Sequence, residues 1–439
     1  MVGTAVSKVI GVNMSSSADA LRERIIGRVD TRRQELVALL QQLIRIESIT
    51  GNEGRIQEYI ANELRRMGLS VDVWVPDLKE LATHPAYLPV EGLDFTDRPN
   101  VIGIWKGTGG GRSLLFNGHV DTIPVEPVTA WTHGPLSGRE EQGHIYGRGA
   151  SDMKGGLAAM TMAVKVLRDL GLRPKGDVIL EYVVDEELTG YGTLSAVQRG
   201  YRADAGISLE TSDLCIQPAC IGRLWFTVTL KGLAVGIARH WEGVSAIDKG
   251  IKIVQAIKDL EQMRWADLRH PLYPDNRSAL PCVVCMFNAG TFPSAVPDTA
   301  VLRGSLGVMP QENLKNVERQ VVDQIMRVSQ ADAWLRTHPP TVEFKEVGAD
   351  GAEIPVDHPI VQTVAQAYTR VTGQAPVLSG RTGGADTRYL IKHGQTPTVI
   401  FGPGMTSEMH ALNESVPLAN LLTATKTLAL AIVEWCGVG

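Results

Sequence analysis

The run Val178-Ile179-Leu180-Glu181-Tyr182-Val183-Val184-Asp185-Glu186-Glu187 is apolar almost throughout and then turns abruptly acidic. A strand covered on both faces has no reason to alternate, so the spacing predicts a central strand over Val178–Val184. Working outward, β-rich runs occur at Val71–Val75, Val101–Trp105 and Ser113–Phe116. They alternate with helical patterns at Met153–Leu170 and Thr193–Arg199. Strands interleaved with helices predict an α/β fold with a mostly parallel sheet. Upstream, Leu36, Leu40, Leu43 and Ile44 recur at threes and fours, predicting a helix from Ala18 to Ile46 with one buried face. A second helix is expected over Gly54–Met67, stopped by Gly68. The arm that carries Ser15–Ser17 is expected to be loose.

The pattern changes near Ile221. Leu224–Leu230 alternates as a half-exposed strand does, followed by a helix at Ala246–Met263 and strands at Cys282–Asn288 and Thr299–Gly307. A helix over Gln311–Val328 and a strand at Thr341–Lys345 close this unit, which reads as an α+β, ferredoxin-like sandwich. Pro339, Pro340, Gly348, Gly351 and Pro355 then lead back to the first kind of pattern. One α/β domain over 18–221 and 347–439, interrupted by an inserted domain over 222–346, is therefore expected. No internal repeat or low-complexity block occurs.

Composition narrows the function. With 439 residues, 44% of them apolar and 21% charged, the chain is globular rather than disordered. Forty-three basic residues against 48 acidic ones give a net charge of -5, which argues against nucleic acid or an anionic membrane as partner. No apolar run reaches the ~18 residues of a bilayer span. The first twenty residues lack the pattern of a secretory signal. Cys215, Cys220, Cys282, Cys285 and Cys436 are few and scattered, as suits a reducing, cytoplasmic setting.

Three segments place chemistry at strand ends. Leu114–Asp121 runs from an apolar strand into Gly118, His119 and Asp121, and a metal-bound imidazole needs its second nitrogen held by such a carboxylate or a carbonyl. Gly147–Gly156 brings Asp152 to a helix start, where it either binds a cation or simply caps the helix. Asp185-Glu186-Glu187 ends the central strand, so its acids open into the crevice where α/β ligands bind. Two adjacent carboxylates can divide the work, one holding a metal and the other moving a proton. Glu210, after Ile207-Ser208-Leu209, and His410, in the loop after Thr398–Phe401, join them.

The full set resembles the acetylornithine deacetylase, succinyl-diaminopimelate desuccinylase and carboxypeptidase G group of dinuclear zinc hydrolases, family 20 of the metallopeptidases, with the aminoacylases. The matching motifs are NGHVDT at Asn117–Thr122, GRGASDMKGG at Gly147–Gly156, DEELTGYGT at Asp185–Thr193, SLE at Ser208–Glu210, GGADTR at Gly383–Arg388 and EMHALNE at Glu408–Glu414. The resemblance implies a zinc-exopeptidase-like catalytic domain whose insert serves as lid and dimerisation domain. It implies that His119 and Glu210 bind one metal, Glu187 and His410 the other, and that Asp152 bridges them. It further implies that Asp121 holds His119 and that Glu186 is the general base. The two divalent ions would be zinc, with cobalt or manganese sharing the same donor set. The implied reaction removes the acyl group from an N-acyl amino acid by attack of a metal-bridging hydroxide. Cleavage of small peptides is the alternative, and a binding protein that kept the fold without catalysis is the second. Arg388 would fork onto the substrate carboxylate unless it serves a structural ion pair, and Arg381 is the other choice.

The pattern breaks in the insert. Relatives carry a His after the segment here reading Lys231–Val235, where Gly236 stands, and His240 is the nearest substitute as oxyanion donor. The bland alternative is that His240 only decorates its loop. Ser294 sits where relatives often have Asn. Cys282 and Cys285, three apart on a strand, face opposite sides and are expected to pack rather than bind metal. Trp225 and Trp241 are expected in the core of the insert. His84, His133, His144, His270, His338, His358 and His393 carry no motif.

Overall fold

In the computed structural model, which describes residues 14–346 and 348–439, Val178–Val183 is buried along its whole length. Its neighbours are Leu114–His119, running parallel with His119 opposite Val183, and Asn100–Trp105, running antiparallel. The parallel set continues through Ala205–Ser208 and Thr398–Ile400. Beyond it the nine-stranded sheet turns antiparallel, at Ser70–Trp74 on one margin and Ile216–Cys220 on the other. The parallel centre follows from the strand-helix alternation. The pairing sense of the margins does not, because it depends on where the chain returns.

Helices sandwich this sheet. Gly155–Asp169 is buried along most of its length, and Leu418–Cys436 is packed beside it. The single helix expected over Ala18–Ile46 is two, Met14–Thr31 and Arg33–Arg45. Arg32 leaves the helical conformation at φ -98° and ψ 11°, and its guanidinium reaches Glu35 and Asp169. That break lets the second helix bury Leu36, Leu40, Leu43 and Ile44 as the periodicity predicts. The helical conformation also takes in Ser15–Ser17, so this part of the arm is not loose, while residues before Met14 lie outside the described ones. Gly54–Arg66 ends as expected, with Gly68 at φ +73°. No helix among the described residues is long and apolar enough to cross a membrane.

Residues 222–346 build a second, antiparallel sheet in the order Cys282–Ala289, Thr299–Val308, Gly222–Lys231, Thr341–Glu343. Leu224, Phe226, Val228 and Leu230 alternate inward against the helices Ala246–Asp267 and Leu314–Gln330. Those helices start where Ser245 and Asn313 accept backbone N–H bonds, and Asn313 sets the second start later than the expected Gln311. Cys282 is buried and Cys285 exposed, on opposite faces.

Parity also corrects the tryptophans. With even-numbered residues of Gly222–Lys231 turned inward, Trp225 stands on the outer face at 38% exposure. Trp241, on the short turn Ile237–Glu242, is 69% exposed with its ring against His240. Neither belongs to the core.

Candidate active site

Parallel strands finish at one edge of a sheet, so the residues just past their ends are neighbours in space. Here Leu114–His119 delivers His119 and Asp121, Val178–Val183 delivers Asp185, Glu186 and Glu187, and Ala205–Ser208 delivers Glu210. Asp121 ties the first two ends together. Its carboxylate accepts the backbone N–H of Glu186 and of Glu187, each at 3.2 Å, and the Thr50 hydroxyl at 2.9 Å.

The His119 ring is oriented chiefly by a backbone group. Its Nδ1 lies 2.9 Å from the Asp121 carbonyl and 3.6 Å from the carboxylate Oδ1. A carbonyl can only accept, so Nδ1 carries the proton and Nε2 turns its lone pair to the cluster. Around that Nε2 stand Asp152 Oδ1 at 3.2 Å, Glu210 Oε1 at 3.5 Å and Glu186 Oε2 at 4.0 Å. The other oxygen of Asp152 faces a second imidazole, with His410 Nε2 at 3.6 Å, and the same nitrogen is 3.0 Å from Glu187 Oε2. Asp152 thus sits between two half-sites, His119 with Glu210 and His410 with Glu187.

Such crowding has electrostatic consequences. Burial, followed by repulsion from Glu210, pushes Glu186 well above the usual carboxylate range. Burial also lifts Glu187 to about 7, against a hydrogen bond from His410 that lowers it. Burial opposes the charge on Glu210 too, but the Arg381 guanidinium and His119 outweigh it and hold that carboxyl down at about 2. Buried carboxylates that repel one another call for cations between them. Three carboxylates and two imidazoles, split by Asp152, form a nitrogen and oxygen donor set that fits two divalent ions.

Two supports escaped the sequence reading. Glu414 is buried and accepts from the backbone N–H of Gly149, Ser151 and Asp152 at 2.9, 2.8 and 3.0 Å, and from Arg148 at 2.8 Å. It holds the loop that presents Asp152. The only signal for it was its place in the His410–Glu414 segment. Gly156 works beside it, since a Cβ there would stand 2.3 Å from the Leu209 carbonyl, and this close approach brings the Asp152 loop to the Glu210 strand end. The second support is Arg98, buried, bonded to Asp185 and to both carboxylate oxygens of Glu53 at 2.7 Å each. It fixes the turn in which Asp185 takes a left-handed φ of +70° just before Glu186.

The candidate substrate residues divide. Arg381 faces the cluster but spends its donors on Glu210 Oε2 at 3.0 Å, on the Thr211 carbonyl and hydroxyl, and on the Gly384 carbonyl. Arg388 lines the same cleft and donates to the carbonyls of Ala385 and Thr189 and to the Tyr389 hydroxyl. His240 is not brought to the cleft of its own chain; it is exposed, with Nδ1 3.3 Å from the Ile237 carbonyl. Around a Cβ at Gly236 there is nothing within 4 Å. The motif-free histidines stand elsewhere, for example His133 on Glu141, His270 on Glu353 and His84 against His393. The cleft itself, about 290 Å³, is lined by Glu186, Glu187 and His410 and also by Arg223 and Trp225 of the second sheet.

Comparison with known proteins agrees with this geometry. The family model described as Peptidase family M20/M25/M40 matches residues 115–434. The N-formyl-4-amino-5-aminomethyl-2-methylpyrimidine deformylase of Halalkalibacterium halodurans is 31% identical over 439 residues, covering 94% of this chain and 97% of the relative. The succinyl-diaminopimelate desuccinylase of Rhodopseudomonas palustris is 28% identical over 333 residues, covering 72% and 80%. Among solved structures, the aminopeptidase PepT of Bacillus cereus superposes with a TM-score of 0.70 at 21% identity, over 92% of this chain and 98% of that one, a likeness of fold.

Proposed function

The chain belongs to peptidase family M20/M25/M40, and on that premise we propose that it is a metal-dependent amidohydrolase that removes a small acyl group from the nitrogen of a small molecule. The two named relatives differ in the amine they free, an aminomethylpyrimidine in one name and diaminopimelate in the other, but each name describes acyl removal. The observation that carries the reading is the Asp152 carboxylate, one oxygen toward His119 and the other toward His410, with Glu186 beside the cluster.

His119, Glu210 and Asp152 would hold one divalent ion, and His410, Glu187 and Asp152 the other, with zinc favoured by the donor set and cobalt or manganese compatible with it. Such ions supply Lewis-acid polarisation of the amide carbonyl and acidify water. The chain's own groups do the rest. Glu186 takes the proton of the attacking water on its carboxylate and returns it to the leaving nitrogen. Asp121, through the two backbone N–H groups it accepts, keeps Glu186 and Glu187 in a fixed relation. Arg381 keeps Glu210 ionised and available.

The same reading includes a homodimer formed through residues 222–346, which act as a lid. The edge strand Cys282–Ala289 leaves Val283, Met286 and Phe287 exposed, Phe287 packs on Gly250, and Ile247 and Ile251 of the same helix are exposed as well. Five free cysteines suit a cytoplasmic setting. The test is a panel of N-formyl, N-acetyl and N-succinyl compounds and dipeptides, with the released amine measured before and after chelation and zinc return. Chelator-sensitive acyl removal is expected. Turnover of dipeptides alone would overturn it in favour of a peptidase. Two bound equivalents of metal with no turnover anywhere would mark a binding protein.

A further inference from the structure

Resting on that reading, the structure points to a substrate class: we propose that Trp225 is a stacking platform for a planar aromatic or heteroaromatic ring on the amine side of the scissile amide. Singly exposed apolar side chains are ordinary on a protein surface, and what sets Trp225 apart is its place in the lining of the cleft. Trp225 is 38% exposed, and it faces the cleft that holds Glu186, Glu187 and His410. Apolar groups accompany it in that lining. Leu188 directly follows Glu187 and is 56% exposed, and Met409 directly precedes His410; both line the same cleft. A flat, weakly polar ring would therefore find the indole, Leu188 and Met409 in the same cleft as the carboxylates that act on its acyl nitrogen.

The cations of the cleft are unequally engaged. An N-acyl amino acid brings a free carboxylate that asks for a guanidinium with donors to spare. Arg381 and Arg388 both spend theirs on internal acceptors, and the Arg388 guanidinium lies 4.4 Å over the Tyr389 ring. Arg223 remains, two residues from Trp225 on the same strand face. It lines the cleft beside the indole and forms no ion pair among the described residues, so its guanidinium is open to an acceptor there, a ring nitrogen or a free carboxylate alike, and the formyl amino acids in the test separate the two.

The test compares N-benzylformamide and N-(pyrimidin-5-ylmethyl)formamide with N-formylglycine and N-formylmethionine, on the full-length zinc-loaded protein. Base-on-aromatic stacking predicts that Trp225→Ala lowers kcat/KM for the two ring substrates by about 10- to 100-fold, chiefly through KM. Trp225→Phe, which keeps a ring, should retain most of the activity. Formyl amino acids should be poor substrates, and Trp225→Ala should lower their kcat/KM several-fold less than that of the ring substrates. N-benzylformamide should also quench protein fluorescence in the wild type, and that quenching should shrink in Trp225→Phe. Hydrolysis of the formyl amino acids alone, or equal losses for both classes in Trp225→Ala, overturns this inference and leaves the amidohydrolase reading standing. No hydrolysis of either class overturns this inference, and only if the N-acetyl and N-succinyl compounds also stay intact does the amidohydrolase reading fall with it.

Discussion

Glu414→Gln separates the loop that presents Asp152 from the ligands themselves. Glu414 offers Oε1 to the N–H groups of Ser151 and Asp152 and Oε2 to the N–H of Gly149 and the Arg148 guanidinium. All four partners donate, and a carboxylate is the only common side chain that can accept from all four. A glutamine keeps one accepting oxygen and turns its amide nitrogen on the other pair, so two buried donors lose their acceptor whichever way it sits. Each buried donor left unsatisfied costs about 1–3 kcal/mol, which puts the variant about 2–6 kcal/mol down. The cost falls within four residues of Asp152, so the loop is expected to relax and the metal to be lost before the fold is. The assay is metal per chain by elemental analysis after dialysis, together with Tm by calorimetry. Bound metal well below that of the wild type, with a lowered Tm that added zinc partly restores, is the expected outcome. Wild-type metal content with an unchanged Tm would refute the reasoning, because the four bonds would then have no energetic weight.

Other perturbations address the neighbouring roles. Glu186→Gln should retain its metal and lose turnover by at least about two orders of magnitude, since the amide fills the same space but cannot take the proton. Glu187→Gln should instead lower metal content, and near-normal kcat in Glu186→Gln would show the two roles to be exchanged. His240→Ala should leave kcat within about threefold of wild type, as befits an exposed ring; a loss of about 10²–10³ would mean that it donates to the oxyanion from a partner copy. Gly236→His meets open space and a backbone φ of -65° that any residue adopts, so Tm should not change. If the residue missing from that position is an oxyanion donor, the same variant raises kcat, and unchanged kinetics would count against that explanation of the gap.

Much of the site was legible because its residues lie at strand ends, and strand ends are local in sequence. The apolar run Val178–Val184 announces a central strand, and a central strand puts Asp185–Glu187 into the crevice. Where the reading failed, the deciding contact was distant. Arg32 breaks its helix beside Asp169, more than a hundred residues away, and nothing in the apolar periodicity of Ala18–Ile46 registers that partner. Glu414 takes its role from backbone N–H groups, which leave no trace in residue identity. For Trp225 the local signal was present and outweighed by a prior: its strand alternates strictly, Leu224 and Phe226 face inward, and the odd position between them cannot.

Adjacency in the sequence also explains how Glu186 and Glu187 come to differ. Both backbone N–H groups bind the same Asp121 carboxylate, one to each oxygen, so their main chain is held as one piece. Successive side chains then leave in different directions. Glu187 meets the His410 imidazole at 3.0 Å, whereas Glu186 makes no side-chain hydrogen bond among the described residues and lies 4.0 Å from the His119 imidazole. A carboxylate engaged by a ligand-type imidazole is poorly placed to trade protons. One left against the cleft, with burial and then repulsion from Glu210 raising its proton affinity, is well placed to do so. Arg381 sharpens the contrast from the far side by holding Glu210 in its charged form. The cluster thus contains carboxylates of one chemical type pushed toward opposite protonation behaviour by named neighbours, the arrangement that a hydrolase moving a proton beside fixed cations requires.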